Sequence, residues 1–212
     1  MEQTNLDLKA QANNYPSLQL TDRHLCDLEL LMNGGFNPLN GFMSKDDYIS
    51  VVHKMRLNDG SFWPVPITLD VDDKFASEIS KSQKISLRDK EGFLLAVLKI
   101  EDIWQPDLAL EAQSIFKTMD TKHPGVEYLL KTSNKNYIGG KIEKIVNPHH
   151  YDYKNLRHTP EELKNIFKNK KWGKVIAFQT RNPLHKAHFE LTMRAMKFLN
   201  ANLLVHPVVG MT

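Results

Sequence analysis

The stretch from Lys174 to Val209 constrains the fold most. Two short apolar runs, Lys174 to Phe178 (KVIAF) and Leu203 to Val209, flank an amphipathic segment, Pro183 to Leu199. The runs have the length and the Val/Ile/Leu content of buried strands, while Leu184, Leu191, Ala195 and Phe198 recur at spacings that fit one helical face. Strand, loop, helix and strand in that order make a βαβ unit, because parallel strands cannot be joined by a tight turn. A parallel α/β sheet therefore starts here, and since the sequence stops after its second strand, an incomplete sheet is expected.

Upstream, Thr159-Pro160-Glu161-Glu162 combines a capping hydroxyl, Pro at the first helical position and Glu at the third, predicting a helix to about Lys168. Pro148 to His158 has no clean period and reads as a connector. The chain therefore divides into residues 1–158 and 159–212.

In the first part, Thr21 to Met32 has Leu25, Leu28, Leu31 and Met32 at helical spacing, with Thr21 as cap and Gly34 as stop. Gly34 to Gly41 carries turn chemistry, and Ser44 with Asp47 opens a second helix through Val52. Trp63 to Val71, Lys84 to Leu87, Phe93 to Ile103 and Tyr137 to Val146 read as strands, with Pro64 and Pro66 pushing the first to a sheet edge. Asp89-Lys90-Glu91-Gly92 reads as a hairpin turn, and Leu108 to Phe116 as an intervening helix. The expected class is α+β: a mostly β domain followed by the truncated start of an α/β domain.

Composition excludes other classes. Of the 212 residues 41% are hydrophobic and 25% charged, which suits a packed core and does not suit a disordered chain. The longest apolar run, Phe93 to Leu98, is far too short to span a bilayer. Glu2 and Asp7 stand where a secretory signal would be basic and then apolar. The single cysteine, Cys26, has no internal partner, so a reducing, cytoplasmic setting is expected. The net charge of +3 hides an asymmetry: from Thr159 onward nine Lys/Arg face three Glu, leaving the first 158 residues at −3. Anions are expected at the C-terminal part.

The loop between the expected strand and helix reads Gln179-Thr180-Arg181-Asn182-Pro183-Leu184-His185-Lys186-Ala187-His188. In open α/β sheets ligands sit beyond the carboxyl ends of the strands, where a helix N-terminus offers free N–H groups and partial positive charge. Asn182 suits an N-cap and Pro183 a first helical residue, so the helix is expected to start there. Arg181 offers a planar fork of donors for a tetrahedral dianion, and Gln179, Thr180 and Asn182 add neutral donors. His185 and His188, three apart, would face the same ligand and stabilise a leaving pyrophosphate.

QTRNPLHKAH after an apolar strand resembles the signature of the ATP sulfurylase (sulfate adenylyltransferase) family, a branch of the nucleotidyltransferase superfamily with an HxGH-type motif; Ala187 replaces the usual Gly. GGFNPLNGFMSKDDY (Gly34 to Tyr48), WPVPITLDV (Trp63 to Val71), His123 to Val126 and Tyr137 to Gly140 are similar to that family's N-terminal, PUA-like domain. The resemblance implies a PUA-like domain over residues 1–158 and the beginning of a Rossmann-like catalytic nucleotidyltransferase domain over 159–212. It implies conversion of ATP and sulfate to adenosine 5′-phosphosulfate and pyrophosphate, the first step of sulfate assimilation, with Mg²⁺ accompanying ATP and a homo-oligomeric full-length enzyme. Carried over by residue, Thr180, Arg181 and Asn182 form the catalytic trio and Gln179 and Arg181 hold sulfate. Gln179, Thr180, Arg181, Asn182, His185 and His188 contact ATP. The remaining nucleotide-binding segments of that family lie downstream of Thr212, so the chain by itself is expected to be inactive.

Other readings compete. A sister nucleotidyltransferase would act on a phosphorylated acceptor, whereas Arg181 with Gln179 favours an inorganic oxyanion. Lys170, Lys171 and Lys174 beside Phe167 and Trp172 suggest a nucleic-acid module, but the acidic first part argues against an extended basic face. A zinc site at His185 and His188 lacks further ligands nearby. Lys164 to Lys174 reads as a solvated helix end, Gly34-Gly35 and Gly139-Gly140 as turn or strand-end devices, and Met193 and Met196 as core filler. His149 and His150 carry no assigned role.

Overall fold

The structure, a computed structural model, describes residues 2–208; Val209, the last residue of the second expected strand, lies outside them. The chain forms two compact units, Met1–Lys154 and Asn155–Thr212.

In the first unit the elements run α1 (Glu2–Ala12), β1 (Ser17–Gln19), α2 (Asp22–Asn33), β2 (Gly41–Phe42), α3 (Lys45–Lys54), β3 (Leu69–Val71), α4 (Asp73–Glu78), β4 (Lys84–Arg88), β5 (Leu94–Trp104), α5 (Leu108–Phe116), α6 (Pro124–Glu127), a π-helical turn (Tyr128–Thr132) and β6 (Asn136–Lys144). One mixed sheet has the order β1-β4-β5-β6-β2, with β3 also paired to β6. Only β1 with β4 is parallel; the other pairs are antiparallel.

Local chemistry explains the helices. The Thr21 and Ser44 hydroxyls accept from the third N–H downstream at the starts of α2 and α3, and Asp72 and Asp107 do the same for α4 and α5. Gly34 closes α2 in the left-handed conformation that glycine adopts without steric cost. The expected hairpin turn forms: Asp89 Oδ1 accepts the Phe93 N–H at 2.7 Å.

The sheet departs from sequence expectation where apolar runs outlast their pairing. Trp63 to Val71 is a strand only over its last three residues; Pro64 and Pro66 withhold N–H donors from the rest. Within the apolar run Phe93 to Leu98, Leu94 to Leu98 are continuous because two clusters bury them, while Phe93 is exposed. Leu95, Ala96 and Leu98 join the main core, while Leu94 and Val97 pack with Ala12 of α1. The first unit also holds more helix than the mostly β reading anticipated, since α1, α4, α6 and the π-helical turn were not legible.

Gly139 and Gly140 correct another expectation. They lie in the middle of β6, at the register shift opposite Ile100 to Asp102 on β5. A Cβ on Gly139 would collide with the Met43 carbonyl oxygen, and one on Gly140 with that of Lys99. Side-chain-free backbone lets neighbouring chain pass at this point.

Two polar groups are embedded in this unit. The His24 Nε2–H donates to Asp70 Oδ1 at 2.8 Å, and Asp70 Oδ2 accepts from the Asn134 backbone N–H and side-chain amide. Burial opposes ionisation of Asp70, but the hydrogen bonds from His24 and Asn134 win and hold its pKa below the ordinary carboxylate range. Glu111 Oε2 accepts from the hydroxyls of both Tyr48 and Tyr137, at 2.9 and 3.1 Å. There burial dominates and raises the carboxyl pKa despite those two bonds. His150, unassigned from sequence, pairs with Glu29 at 2.8 Å.

The second unit holds α7 (Pro160–Asn169), β7 (Val175–Thr180), α8 (Lys186–Leu199) and β8 (Asn202–Pro207). The capping box at Thr159 and Glu162 is present in full. β7 and β8 are parallel, in register from Val175 opposite Asn202 to Thr180 opposite Pro207, so the βαβ unit is present. Its helix faces differ from the expected pattern. Leu191 and Phe198 are exposed, Phe198 at 86%, whereas the inward face carries buried Thr192 and half-buried His188, Ala195 and Met196. Met193, read as core filler, is exposed.

Two outcomes test this account. Gly139→Ala should lower unfolding stability by about 3 kcal/mol or more, measured by urea denaturation, because backbone must shift. Asp70 binds its proton more weakly folded than unfolded, so its stabilisation is present above about pH 4 and lost as pH falls. In Asp70→Asn the urea midpoint should start lower at neutral pH and fall less steeply on acidification.

Candidate active-site loop

β7 delivers its carboxyl end to the loop Arg181–His185, and α8 leaves from the other side of it. The helix starts three residues later than expected. His185, not Asn182, is the N-cap, with extended backbone (φ −112°, ψ 173°) and no side-chain capping bond. Asn182 is held elsewhere: the Thr180 hydroxyl accepts its N–H at 3.0 Å and donates to its carbonyl at 2.9 Å. That local turn engages the Asn182 carbonyl, the acceptor that the first hydrogen bond of a helix capped there would use, which accounts for the late start.

The consequence is a row of open donors. With no side chain capping it, the first turn presents the N–H groups of Lys186, Ala187 and His188, where the helix dipole favours negative charge. His188 lies at the third helical position, and its ring stacks on that of His185 with centroids 3.8 Å apart and planes 30° apart. Phe178 of β7 approaches His188 from another side at 5.3 Å. His188 Nδ1 is enclosed and lacks a hydrogen-bond partner among the described residues.

Arg181 is exposed and makes no hydrogen bond or ion pair with another described residue. No Asp or Glu lies between Gln179 and His188 to neutralise it. Phe178 and Thr180 share one face of β7 by strand alternation, the face that meets α8; Gln179 lies on the opposite face and is exposed. Two local pairs therefore flank the turn into α8, Thr180 bonded to Asn182 and His185 stacked on His188, and Gln179 joins neither. Among the described residues no group of three or more His, Cys, Asp or Glu could hold a metal ion. Sequence reasoning missed Phe178 as a wall of the site, although its apolar ring two residues before Thr180 was the available signal.

The basic segment behind α7 is occupied with itself. Phe167 stacks on Trp172, and the Lys170 ammonium lies 5.6 Å from the centre of the Trp172 ring. An aromatic platform for bases would need a free ring face there.

Comparison with known proteins finds two families along the chain. Residues 1–147 match the PUA-like domain family and residues 154–212 match the ATP-sulfurylase family. The sulfate adenylyltransferase of Kluyveromyces lactis is 50% identical over 203 residues, covering 96% of this chain and 40% of the relative. That of Saccharomyces cerevisiae is 46% identical over 204 residues, with the same coverages. Among solved structures, a hexameric APS kinase from Thiobacillus denitrificans aligns with a TM-score of 0.80 at 33% identity, covering 99% of this chain and 37% of that one. The chain thus spans about two fifths of the length of these relatives. It belongs to the PUA-like domain family, and carries behind that domain a segment of the ATP-sulfurylase family.

Proposed function

We propose that the chain is part of a sulfate adenylyltransferase, which joins ATP and sulfate into adenosine 5′-phosphosulfate and releases pyrophosphate. The observation that carries this reading is the unpaired Arg181 beside an uncapped helix N-terminus in a loop without carboxylates. Named relatives at about half identity support it.

The chemistry suits such a loop. Sulfate is a dianion at neutral pH and attacks the α-phosphorus of ATP as it stands, so no proton has to be removed. The task is to bring two anions together and to stabilise the charge that collects on the departing pyrophosphate. In this reading Arg181 holds sulfate, with Gln179 able to assist only from the other face of β7. Thr180 and Asn182, fixed to each other by two hydrogen bonds, position the reacting centre with Arg181. His185, His188 and the first-turn N–H groups of α8 receive the phosphates of ATP. Mg²⁺ enters as part of the substrate, bound to the nucleotide's phosphates.

The reading extends to architecture. The functional division falls between residues 158 and 159, at the cap of α7, and the second part is the opening of a Rossmann-like nucleotidyltransferase domain. Among the described residues β7 and β8 pair only with each other, leaving an outer edge on each strand, and Leu191 and Phe198 of α8 stand uncovered. Further strands and helices complete this layer in the whole enzyme, which is homo-oligomeric and cytoplasmic in the same reading. No described helix is long and apolar enough to cross a membrane.

In an enzyme carrying this sequence within its complete catalytic domain, Arg181→Ala should lower sulfate-dependent pyrophosphate release by at least about a hundredfold; near-normal rates would remove the sulfate assignment. The purified 212-residue chain should release no pyrophosphate above background under the same assay, and steady sulfate-dependent turnover by it would refute the need for further elements.

A further inference from the structure

Gln179 stands apart from the two pairs at the turn into α8, yet it has a neighbour. Its register partner on β8 is His206, and just beyond them the Val208 N–H donates to the Thr180 carbonyl at 2.8 Å. Backbone pairing thus fixes the two positions side by side at the carboxyl end of the sheet. Laterally paired residues of parallel strands point to the same face, about 4.8 Å apart. That face is the one turned away from Phe178, Thr180 and α8. Both side chains are exposed, and neither makes a hydrogen bond, ion pair or ring contact with another described residue. Val175, Ala177, Asn202 and Leu204 make up the rest of that face of the two strands, and none is acidic. Two unengaged donors therefore stand together where open α/β sheets take their ligands, with no carboxylate of either strand beside them.

We infer that His206 is a further sulfate-binding residue, which holds the ion together with Gln179 on the face of β7 opposite the start of α8. Sulfate carries four acceptor oxygens and, at neutral pH, no proton, so it is matched by groups that donate. The Gln179 amide supplies two N–H donors and the His206 ring at least one. Arg181 lies two residues past Gln179, a strand repeat of about 7 Å that its long side chain can span. Such a subsite gives Gln179 a role that its place on β7 otherwise denies it. It also eases the meeting of two anions. Each has its own donors on its own side of β7, the mineral ion at Gln179 and His206 and the nucleotide's phosphates at α8, and they converge only at the turn after Thr180. The inference rests on the sulfate reading given above and deepens it by naming a residue that the loop itself does not contain.

Steady-state assays of pyrophosphate release test it, with sulfate and ATP varied in turn, on an enzyme carrying this sequence within its complete catalytic domain. His206→Ala should raise the half-saturating sulfate concentration about tenfold, the scale of one lost hydrogen bond to a charged acceptor, and leave half-saturation by ATP in place. His206→Asn and His206→Gln set an amide donor near the positions of Nδ1 and Nε2, and at least one of them should recover most of the loss. An unchanged sulfate half-saturation in His206→Ala, or an equal rise for both substrates, overturns the subsite and leaves the sulfate reading standing. A loss that neither amide variant relieves overturns the donor role. If the unsubstituted enzyme releases no pyrophosphate in response to sulfate, the sulfate reading itself fails and the subsite falls with it.

Discussion

Two strands that run the same way must be joined by a detour, and the detour from β7 to β8 decides what the second unit can do. The chain leaves β7 at Thr180, turns, and returns along α8, so that the exposed amides of the helix start stand beside the carboxyl end of the strand. No side chain has to create positive potential there; backbone does it. Arg181 adds a mobile cation to that field, and the absence of acidic neighbours in the loop leaves the field uncancelled. The first unit solves a different problem. It closes a mixed sheet whose β6 must pass close to the chain at Met43 and at Lys99, which the paired glycines permit.

Charge is managed differently in the two units. In the first, the buried carboxyls are fully engaged: Asp70 by His24 and Asn134, and Glu111 by two phenols. These groups hold α2 to β3 and α5 to the sheet, and they leave nothing to offer a ligand. In the second, Arg181 and the first-turn amides of α8 have no side-chain partner among the described residues. Among the described residues, engagement in one place and its absence in the other separate scaffold from the proposed site more clearly than burial alone.

Much of the fold was legible from residues. The caps at Thr21, Ser44 and Thr159, the turn at Asp89 to Gly92, the helix Leu108–Phe116 and the parallel strand pair follow from local chemistry and period, both of which act within a few residues. What escaped depends on distant partners. The interior placement of Gly139 and Gly140 needs Met43 and Lys99, distant in sequence from the glycines they meet, and α1 is read as core-covering only once Leu94 and Val97 are known to face it. In the site, residue identities were legible but their geometry was not. Asn182 and Pro183 look like a helix start, and the Thr180 hydroxyl overrides that preference by donating to the Asn182 carbonyl, which a helix starting there would use. Leu191 and Phe198 look inward by spacing, yet the face actually buried carries Thr192 and His188, the latter against Phe178 of β7.

The pair of phenols sharing Glu111 has an optical consequence. Burial, reinforced by the nearby carboxyl, pushes both Tyr48 and Tyr137 far above the ordinary phenol range, while Tyr151 and Tyr153 stand in solvent. In alkali, therefore, the ultraviolet absorbance of the interior two changes only when the sheet around them comes apart.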